Sequence, residues 1–283
     1  MSIDAGAAIG GVRLRVSDLE RSLTFYMDVL GLDVISRADA TASLGAGGRA
    51  LVTLRELSAP VPRPRHSTGL YHFALLVPDR AALGHALTRI AAAGWPLQGA
   101  SDHGVSEALY LADPDGIGIE IYRDRPREHW PASNGGLEMV TEALDVRGLL
   151  DDARAQGDLP PSVPAFTRMG HVHLQVRDLA EADAFYHGAL GFDVMQRLAG
   201  SALFVSAGGY HHHVGLNTWG VAGAPPQPEQ SVGLDEFIVL LSDDAALAAV
   251  RDALRNAGVA GEARDDGWLV RDPSSNALLL SVA

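Results

Sequence analysis

The sequence predicts an α+β protein built from four βαβββ modules that pair into two domains. Three internal correspondences predict it. Residues 17–34, SDLERSLTFYMDVLGLDV, and 177–194, RDLAEADAFYHGALGFDV, align at a constant offset of 160, with eight of eighteen positions identical. Each half then repeats its own plan: GLYHFALLVPDRAALGHALTRIAAAG (69–94) matches GLDEFIVLLSDDAALAAVRDALRNAG (233–258) at an offset of 164. Further on, LADPDGIGIEIY (111–122) matches VRDPSSNALLLS (270–281), with Asp-Pro and Gly or Asn marking a turn between two strands.

The elements follow in order. Module one, about residues 8–60, opens with the strand GVRLRV, which corresponds to HVHLQV in the other half. Module two, about 68–126, has an apolar strand, a polar break, and an amphipathic helix that stops at Gly94. Modules three (about 168–220) and four (about 231–283) repeat this, with LSDDAAL supplying an acidic N-cap to the last helix. The expected division is a two-module domain over 1–126, a linker over 127–167, and a second two-module domain over 168–283. The linker is rich in Pro, Gly and Ser, and MVTEALDVRGLLDDARA within it reads as one or two short helices.

Composition narrows the function. The 35 acidic residues outnumber 22 basic ones, giving a net charge of −13 that disfavours a nucleic-acid partner. Zero cysteines exclude disulfides, thiolate metal sites and cysteine nucleophiles. No apolar run approaches the roughly 20 residues of a membrane span. The opening MSIDAGAAIGG lacks the basic-then-apolar pattern of a secretory leader, so a cytoplasmic protein acting on small molecules is expected.

Candidate chemistry starts at the opening strands. Aligned by their alternating apolar residues, equivalent positions hold Gly11, His72, His171 and Glu236. A single strand histidine is commonly a hydrogen-bonded structural residue. Two at equivalent positions of duplicated modules can instead converge across a pseudo-twofold axis. Glu120, in DPDGIGIEIY, shares a strand face with Gly118 and Tyr122, opposite Ile117, Ile119 and Ile121. A buried carboxylate is costly unless paired or bound to a cation; the alternative is a solvent-facing glutamate on a one-sided sheet. Two imidazoles with one carboxylate make the facial triad used for non-haem Fe(II), leaving three coordination positions open.

The run HVHLQV also holds His173, on the same strand face as His171, and His173 is the rival ligand. The segment GGYHHHVGLNTW contains His211, His212 and His213. In an extended strand His211 and His213 would share one face and His212 the other, so the three would not converge on one ion.

The stretch HGVSEALYLADPDGIGIE (103–120) resembles the extradiol ring-cleavage dioxygenase signature at His103, Leu109, Tyr110, Asp113, Pro114, Gly116 and Glu120. Ser101 departs from that signature. The four modules resemble the vicinal oxygen chelate superfamily (glyoxalase, bleomycin resistance and extradiol dioxygenase proteins) over nearly the whole chain. The segments HVHLQVRDLAEADAFYHGALGFDV and GGYHHHVGLNTW resemble its catechol 2,3-dioxygenase branch. The resemblance implies a mononuclear Fe(II), with Mn(II) suited to the same donors, held by His72, His171 and Glu120. It implies that Tyr110 hydrogen-bonds the catechol, that His103 donates near substrate, and that His213 is the acid/base histidine, with His212 a weaker candidate. It further implies a catecholic substrate, O2 as co-substrate, and cleavage of the ring beside the diol. Trp219, Tyr210 and Tyr122 are candidate pocket walls, with ordinary core packing as the alternative. A homo-oligomer is expected.

One departure from the family layout concerns where the triad sits. Two-domain members generally keep it in the C-terminal pair of modules. Here module four carries Glu236, Leu279 and Leu269 in place of the histidine, glutamate and tyrosine, and its offset from module two falls from 164 to 159. Modules two and three are therefore expected to form the site, either within one chain or across a swapped dimer. A glyoxalase-like isomerase or epimerase, or a non-catalytic drug-binding protein, would use the same fold.

Overall fold

The computed structural model describes residues 2–133, 136–198 and 200–283. Four βαβββ modules are present, as the repeats predict. Module one comprises β1 (Ala8–Val16), α1 (Leu19–Thr24), β2 (Asp33–Ala38), β3 (Thr41–Ala46) and β4 (Arg49–Glu56). Module two comprises β5 (Gly69–Leu76), α2 (Arg80–Ala92), β6 (Gly99–Asp102), β7 (Ser106–Ala112) and β8 (Gly118–Asp124). After the short strands β9 (Ala132–Ser133), β10 (Gly136–Leu137) and β11 (Glu142–Ala143) comes α3 (Val146–Gln156). Module three has β12 (Arg168–Gln175), α4 (Leu179–Asp183), β13 (Asp193–Leu198), β14 (Ala202–Ser206) and β15 (Val214–Asn217). Module four has β16 (Gly233–Leu241), α5 (Asp244–Asn256), β17 (Gly261–Arg264), β18 (Gly267–Arg271) and β19 (Ala277–Val282).

Each module starts its helix in the same way. Asp18, Asp79, Asp178 and Asp243 sit in extended backbone and accept the N–H three residues on, at 2.8–2.9 Å. Each such cap stabilises its helix by about 1 kcal/mol. Gly94 and Gly258, at φ +65° and +75°, end α2 and α5 in a left-handed turn that a side chain would strain.

The repeated Phe-Tyr and Asp-Pro motifs have one joint explanation. Helices α1 and α4 run on into a wider turn, in which Leu30 N–H donates to Phe25 C=O at 3.3 Å and Leu190 N–H to Phe185 C=O at 2.9 Å. These bonds span five residues, a π-type turn. Within those turns the buried Tyr26 and Tyr186 donate to Asp113 Oδ2 and Asp272 Oδ2, each at 3.1 Å.

The strands form two large sheets. One follows the order β17-β18-β19-β16-β1-β4-β3-β2, from modules four and one; the other follows β11-β6-β7-β8-β5-β12-β15-β14-β13, from modules two and three with the linker's β11 at the edge. By density of contacts the chain separates into residues 15–60 with 72–169, and residues 1–14 with 61–71 and 170–283. Within the first of these units β8 runs parallel to β5 and antiparallel to β7. Phe73, Leu75, Leu109, Leu111, Ile119 and Ile121 are buried on one face of these strands. The alternating positions carry His72, Tyr110 and Glu120.

Part of the predicted linker is built into the first unit. β11 pairs with β6, Glu142 opposite Asp102 and Ala143 opposite Ser101. Helix α3 packs on α2. At their contact a Cβ on Gly84 would lie 2.4 Å from Leu149 O, so glycine permits the approach. Arg80 spans the same joint, donating to the buried Glu107 at 2.9 Å and to Asp152 at 2.5 Å.

Candidate metal centre

The first unit contributes one histidine and one carboxylate. In the register of β5, β7 and β8, His72 lies opposite Gly118, while Glu120 lies between Ala74 and Tyr110. Period-two geometry puts His72, Tyr110 and Glu120 on one face. Both His72 and Glu120 are buried, and His72 Nε2 stands 3.1 Å from Glu120 Oε2. His171, buried on β12, supplies the third group: one donor atom from each of His72, Glu120 and His171 lies within 4.8 Å of the others.

The donor set fits a divalent first-row cation. Metal–ligand bonds of about 2.1 Å at right angles separate neighbouring donors by about 3 Å, which the His72–Glu120 spacing matches. Two neutral imidazoles and one carboxylate suit Fe(II) or Mn(II) and leave coordination positions for other molecules. Glu120 is largely removed from water, and a cation there would offset the several kcal/mol that an uncompensated buried carboxylate costs.

Tyr110 and His103 act as a pair beside this cluster. The Tyr110 ring centroid is 5.8 Å from that of His72. His103 Nδ1 lies 2.7 Å from Val140 C=O, and His103 Nε2 lies 2.7 Å from the Tyr110 hydroxyl. The carbonyl can only accept, so Nδ1 carries a proton. In the neutral ring Nε2 then accepts from Tyr110 O–H. Val140 belongs to the linker and also donates its own N–H to His103 C=O at 3.2 Å. Gly104, at φ +73°, would bring a Cβ within 2.8 Å of Pro131, so the turn carrying His103 lies close under this strap. Sequence reasoning missed Val140, because a backbone carbonyl has no residue-type signature.

The three consecutive histidines do not lie in a strand. β15 begins only at Val214, and Gly208 and Gly209, at φ +60° and +69°, bend the chain before it. The face-alternation expectation for His211–His213 therefore does not hold. The His212 ring centroid lies 4.1 Å from that of His171, and the His211 centroid lies 6.2 Å from it. The Nδ1 atoms of His211 and His212 are 2.7 Å apart. His213 sits 5.0 Å from the Tyr210 ring, with Nδ1 accepting Ala207 N–H at 3.2 Å and meeting Ser206 Oγ at 3.0 Å. An Nδ1 that accepts a backbone N–H puts the proton of the neutral ring on Nε2.

His173, the rival ligand, is engaged otherwise. Its Nε2 lies 3.0 Å from Asn217 Nδ2, whose own Oδ1 accepts Trp219 N–H at 3.0 Å. That second bond orients the amide so that Nδ2 donates and His173 Nε2 accepts. Of the pocket-wall candidates, Tyr122 is fully buried with Ala74, Leu76 and Ala108.

The corresponding place in modules one and four is filled by an ion-pair network. Glu236 accepts from Arg13 at 2.5 Å and from Arg264 at 3.0 Å, and Arg13 also reaches Asp266 at 2.5 Å. Leu269 and Leu279 stand opposite each other on β18 and β19, as Tyr110 and Glu120 do on β7 and β8. The turn holding His103–Val105 in module two is reduced to residues 265–266 in module four.

The glyoxalase/bleomycin resistance protein/dioxygenase superfamily model matches residues 8–121 and 168–275, and the chain belongs to that superfamily. The catechol-2,3-dioxygenase of Bacillus subtilis (strain 168) is 48% identical over 286 residues, covering 99% of both chains. Two solved structures share the fold. One, from Bacillus subtilis subsp. subtilis str. 168 and assigned as a dioxygenase, has a TM-score of 0.68 at 13% identity, covering 100% of this chain and 86% of its own. The other, glyoxalase I from Zea mays, has a TM-score of 0.60 at 15% identity, covering 98% of this chain and 92% of its own.

Proposed function

We propose that the protein is an extradiol dioxygenase that opens a catecholic ring beside its vicinal diol and incorporates both atoms of O2. His72, Glu120 and His171 are the residues that would hold the metal, Fe(II) in the first instance and Mn(II) as the alternative. When bound, the ion lowers the pKa of the diol and brings diol and dioxygen onto neighbouring coordination positions. One observation carries the reading. A buried two-histidine, one-carboxylate cluster lies in a chain 48% identical, end to end, to a catechol-2,3-dioxygenase.

The surrounding side chains have complementary tasks. Tyr110, whose hydroxyl proton is directed at His103 Nε2, keeps its oxygen lone pairs for a substrate hydroxyl near His72. A proton leaving the diol can thus pass through Tyr110 Oη to His103 Nε2, with Val140 holding the far side of the ring. His213, with its proton on Nε2, is the proposed acid/base group on the dioxygen side. His212, packed on His171, is the second candidate for that role. Burial of the cluster keeps competing water away from the reacting groups.

No helix among the described residues is long and apolar enough to cross a membrane. A homo-oligomer in the cytoplasm is part of the proposal. Anaerobic purification with Fe(II) or Mn(II), followed by oxygen uptake and a spectrophotometric scan with catechol, tests the reading. Uptake of one O2 per catechol with appearance of a yellow semialdehyde is expected. Absence of uptake with every simple catechol and either metal would overturn it in favour of a glyoxalase-like isomerase.

A further inference from the structure

The run His211–His213 holds a contact that an extended strand could not make. Neighbouring residues of a strand point to opposite faces, yet His211 Nδ1 lies 2.7 Å from His212 Nδ1. The bent backbone brings them together and is fixed on both sides of the pair. Before it, Tyr210 N–H donates to Ala207 C=O at 3.2 Å, closing the turn over Gly208 and Gly209. After it, His213 N–H donates to Val205 C=O at 2.9 Å, and His213 C=O accepts Val172 N–H at 3.1 Å. All of these residues belong to one unit of the chain.

Both rings are buried, and both are held from the side. Tyr210 lies against His211 with centroids 4.1 Å apart. Phe204 meets His212 edge to face at 5.2 Å, and His212 rests on His171 at 4.1 Å. Two Nδ1 atoms at this separation cannot both carry a proton, because the hydrogens would collide. Two bare nitrogens would repel and forgo a hydrogen bond in a buried place. In the neutral pair one ring therefore carries its proton on Nδ1 and the other on Nε2. The bond that one ring nitrogen makes thus decides what the other nitrogen offers.

We infer that His211 is a positioning residue for His212: its Nδ1–H donates to His212 Nδ1, which fixes the His212 ring beside His171 with its proton on Nε2. His212 then offers a hydrogen-bond donor from the nitrogen remote from His211. The task of that donor rests on the extradiol reading, in which His212 is the second acid/base candidate, while the pairing itself rests on the 2.7 Å contact. His213 is set differently. Its Nδ1 accepts a main-chain N–H, that of Ala207, a bond in which the His211 side chain takes no part.

Two measurements test this. The first needs no activity: long-range proton–nitrogen correlation spectra of the metal-free, full-length protein with isotopically labelled histidine, at mildly alkaline pH. His211 should show its proton on Nδ1 and His212 on Nε2, each assigned by the signals lost in His211→Asn and His212→Asn. A His211 ring without a proton on Nδ1 would overturn the inference. The second compares catechol cleavage by the Fe(II)-loaded wild type, His211→Phe and His211→Asn, each checked for fold by circular dichroism. Phe keeps a flat ring but cannot donate, and should lower kcat about 10- to 100-fold with KM near the wild-type value. Asn places an amide donor near the Nδ1 position and should recover most of that loss. Equal kcat for Phe and Asn would leave His211 with packing alone and overturn the inference. If no protein opens any catechol but the spectra show the paired tautomers, the positioning stands and the dioxygenase reading fails. Ring opening at equal rates in all three would do the reverse.

Discussion

The hydroxyl of Tyr26 donates to Asp113 Oδ2 over 3.1 Å, joining the first helix of module one to the Asp-Pro turn of module two, and both residues are buried. Asp113 Oδ1 accepts two further bonds, from Asp115 N–H at 2.9 Å and Ile117 N–H at 2.8 Å. Burial outweighs these bonds and, with the nearby Asp115 charge, raises the carboxyl from 3.8 to about 6. The same burial raises Tyr26 well above its ordinary value, so its proton stays on.

A pH dependence follows from Asp113. Its folded pKa exceeds its unfolded one, so its contribution to stability is fully present below about pH 4 and is lost as pH rises through about 6. A shift of about two units corresponds to about 3 kcal/mol across that window. Asp113→Asn keeps an acceptor for the two N–H groups and an amide donor towards Tyr26, and it cannot titrate. Urea unfolding of the wild type and this variant at pH 4, 5, 6 and 7 should give a difference that moves in favour of Asn as pH rises. A pH-independent difference would contradict the assignment.

Much of this architecture was legible in the sequence, and the Tyr26–Asp113 pair shows why. Duplicated motifs report duplicated contacts, so Phe-Tyr and Asp-Pro recur together because they bond to each other. His72 and His171 became candidates because equivalent strand positions in duplicated modules can converge, and Glu120 because a carboxylate among isoleucines needs a partner. Strand order was not legible: local patterns specify that β5 and β12 are strands but not that they are neighbours. The bend at His211–His213 depends on Gly208 and Gly209 taking positive φ, which the glycines permit without requiring. Val140 acts through its main chain and left no trace in residue type.

Removing any one of the three clustered donors should abolish metal retention. His72→Ala, Glu120→Ala and His171→Ala are each expected to purify with metal at background level, while the wild type holds about one ion per chain. Metal bound only by the folded state also raises the melting temperature, by an amount that grows with the logarithm of free metal. Adding Fe(II) or Mn(II) anaerobically should therefore stabilise the wild type and not these variants. Full metal content in His171→Ala would remove module three from the centre.

The Val140–His103–Tyr110 chain predicts unequal effects from two similar substitutions. Gln at 103 places its amide near the position of Nε2 and can still meet the Tyr110 hydroxyl. Asn places its amide near Nδ1, keeping the Val140 carbonyl but losing Tyr110. If orientation of the Tyr110 proton matters, His103→Gln should retain more kcat than His103→Asn. Tyr110→Phe should lower kcat/KM by about 10²-fold with little change in melting temperature. Equal rates for Gln and Asn at 103 would leave His103 with only a structural role.

Glu236 gives a contrasting case, at the position in module four equivalent to His72. Its carboxylate is buried and holds Arg13 at 2.5 Å and Arg264 at 3.0 Å, both about one-third exposed. Replacing it with Gln leaves two guanidinium groups facing a neutral amide. The cost is that of a broken buried pair, reduced by solvent access to both arginines, or about 1–2 kcal/mol. The expected result for Glu236→Gln is a lower denaturation midpoint with metal content equal to the wild type, because none of the three clustered donors is touched. Glu236→His should likewise recruit no second ion, since Leu279 stands where Glu120 would be needed and Arg13 remains beside the new imidazole. A second equivalent of bound metal in Glu236→His would show that one histidine suffices to recreate the site, and that the leucine is not what keeps this half inert.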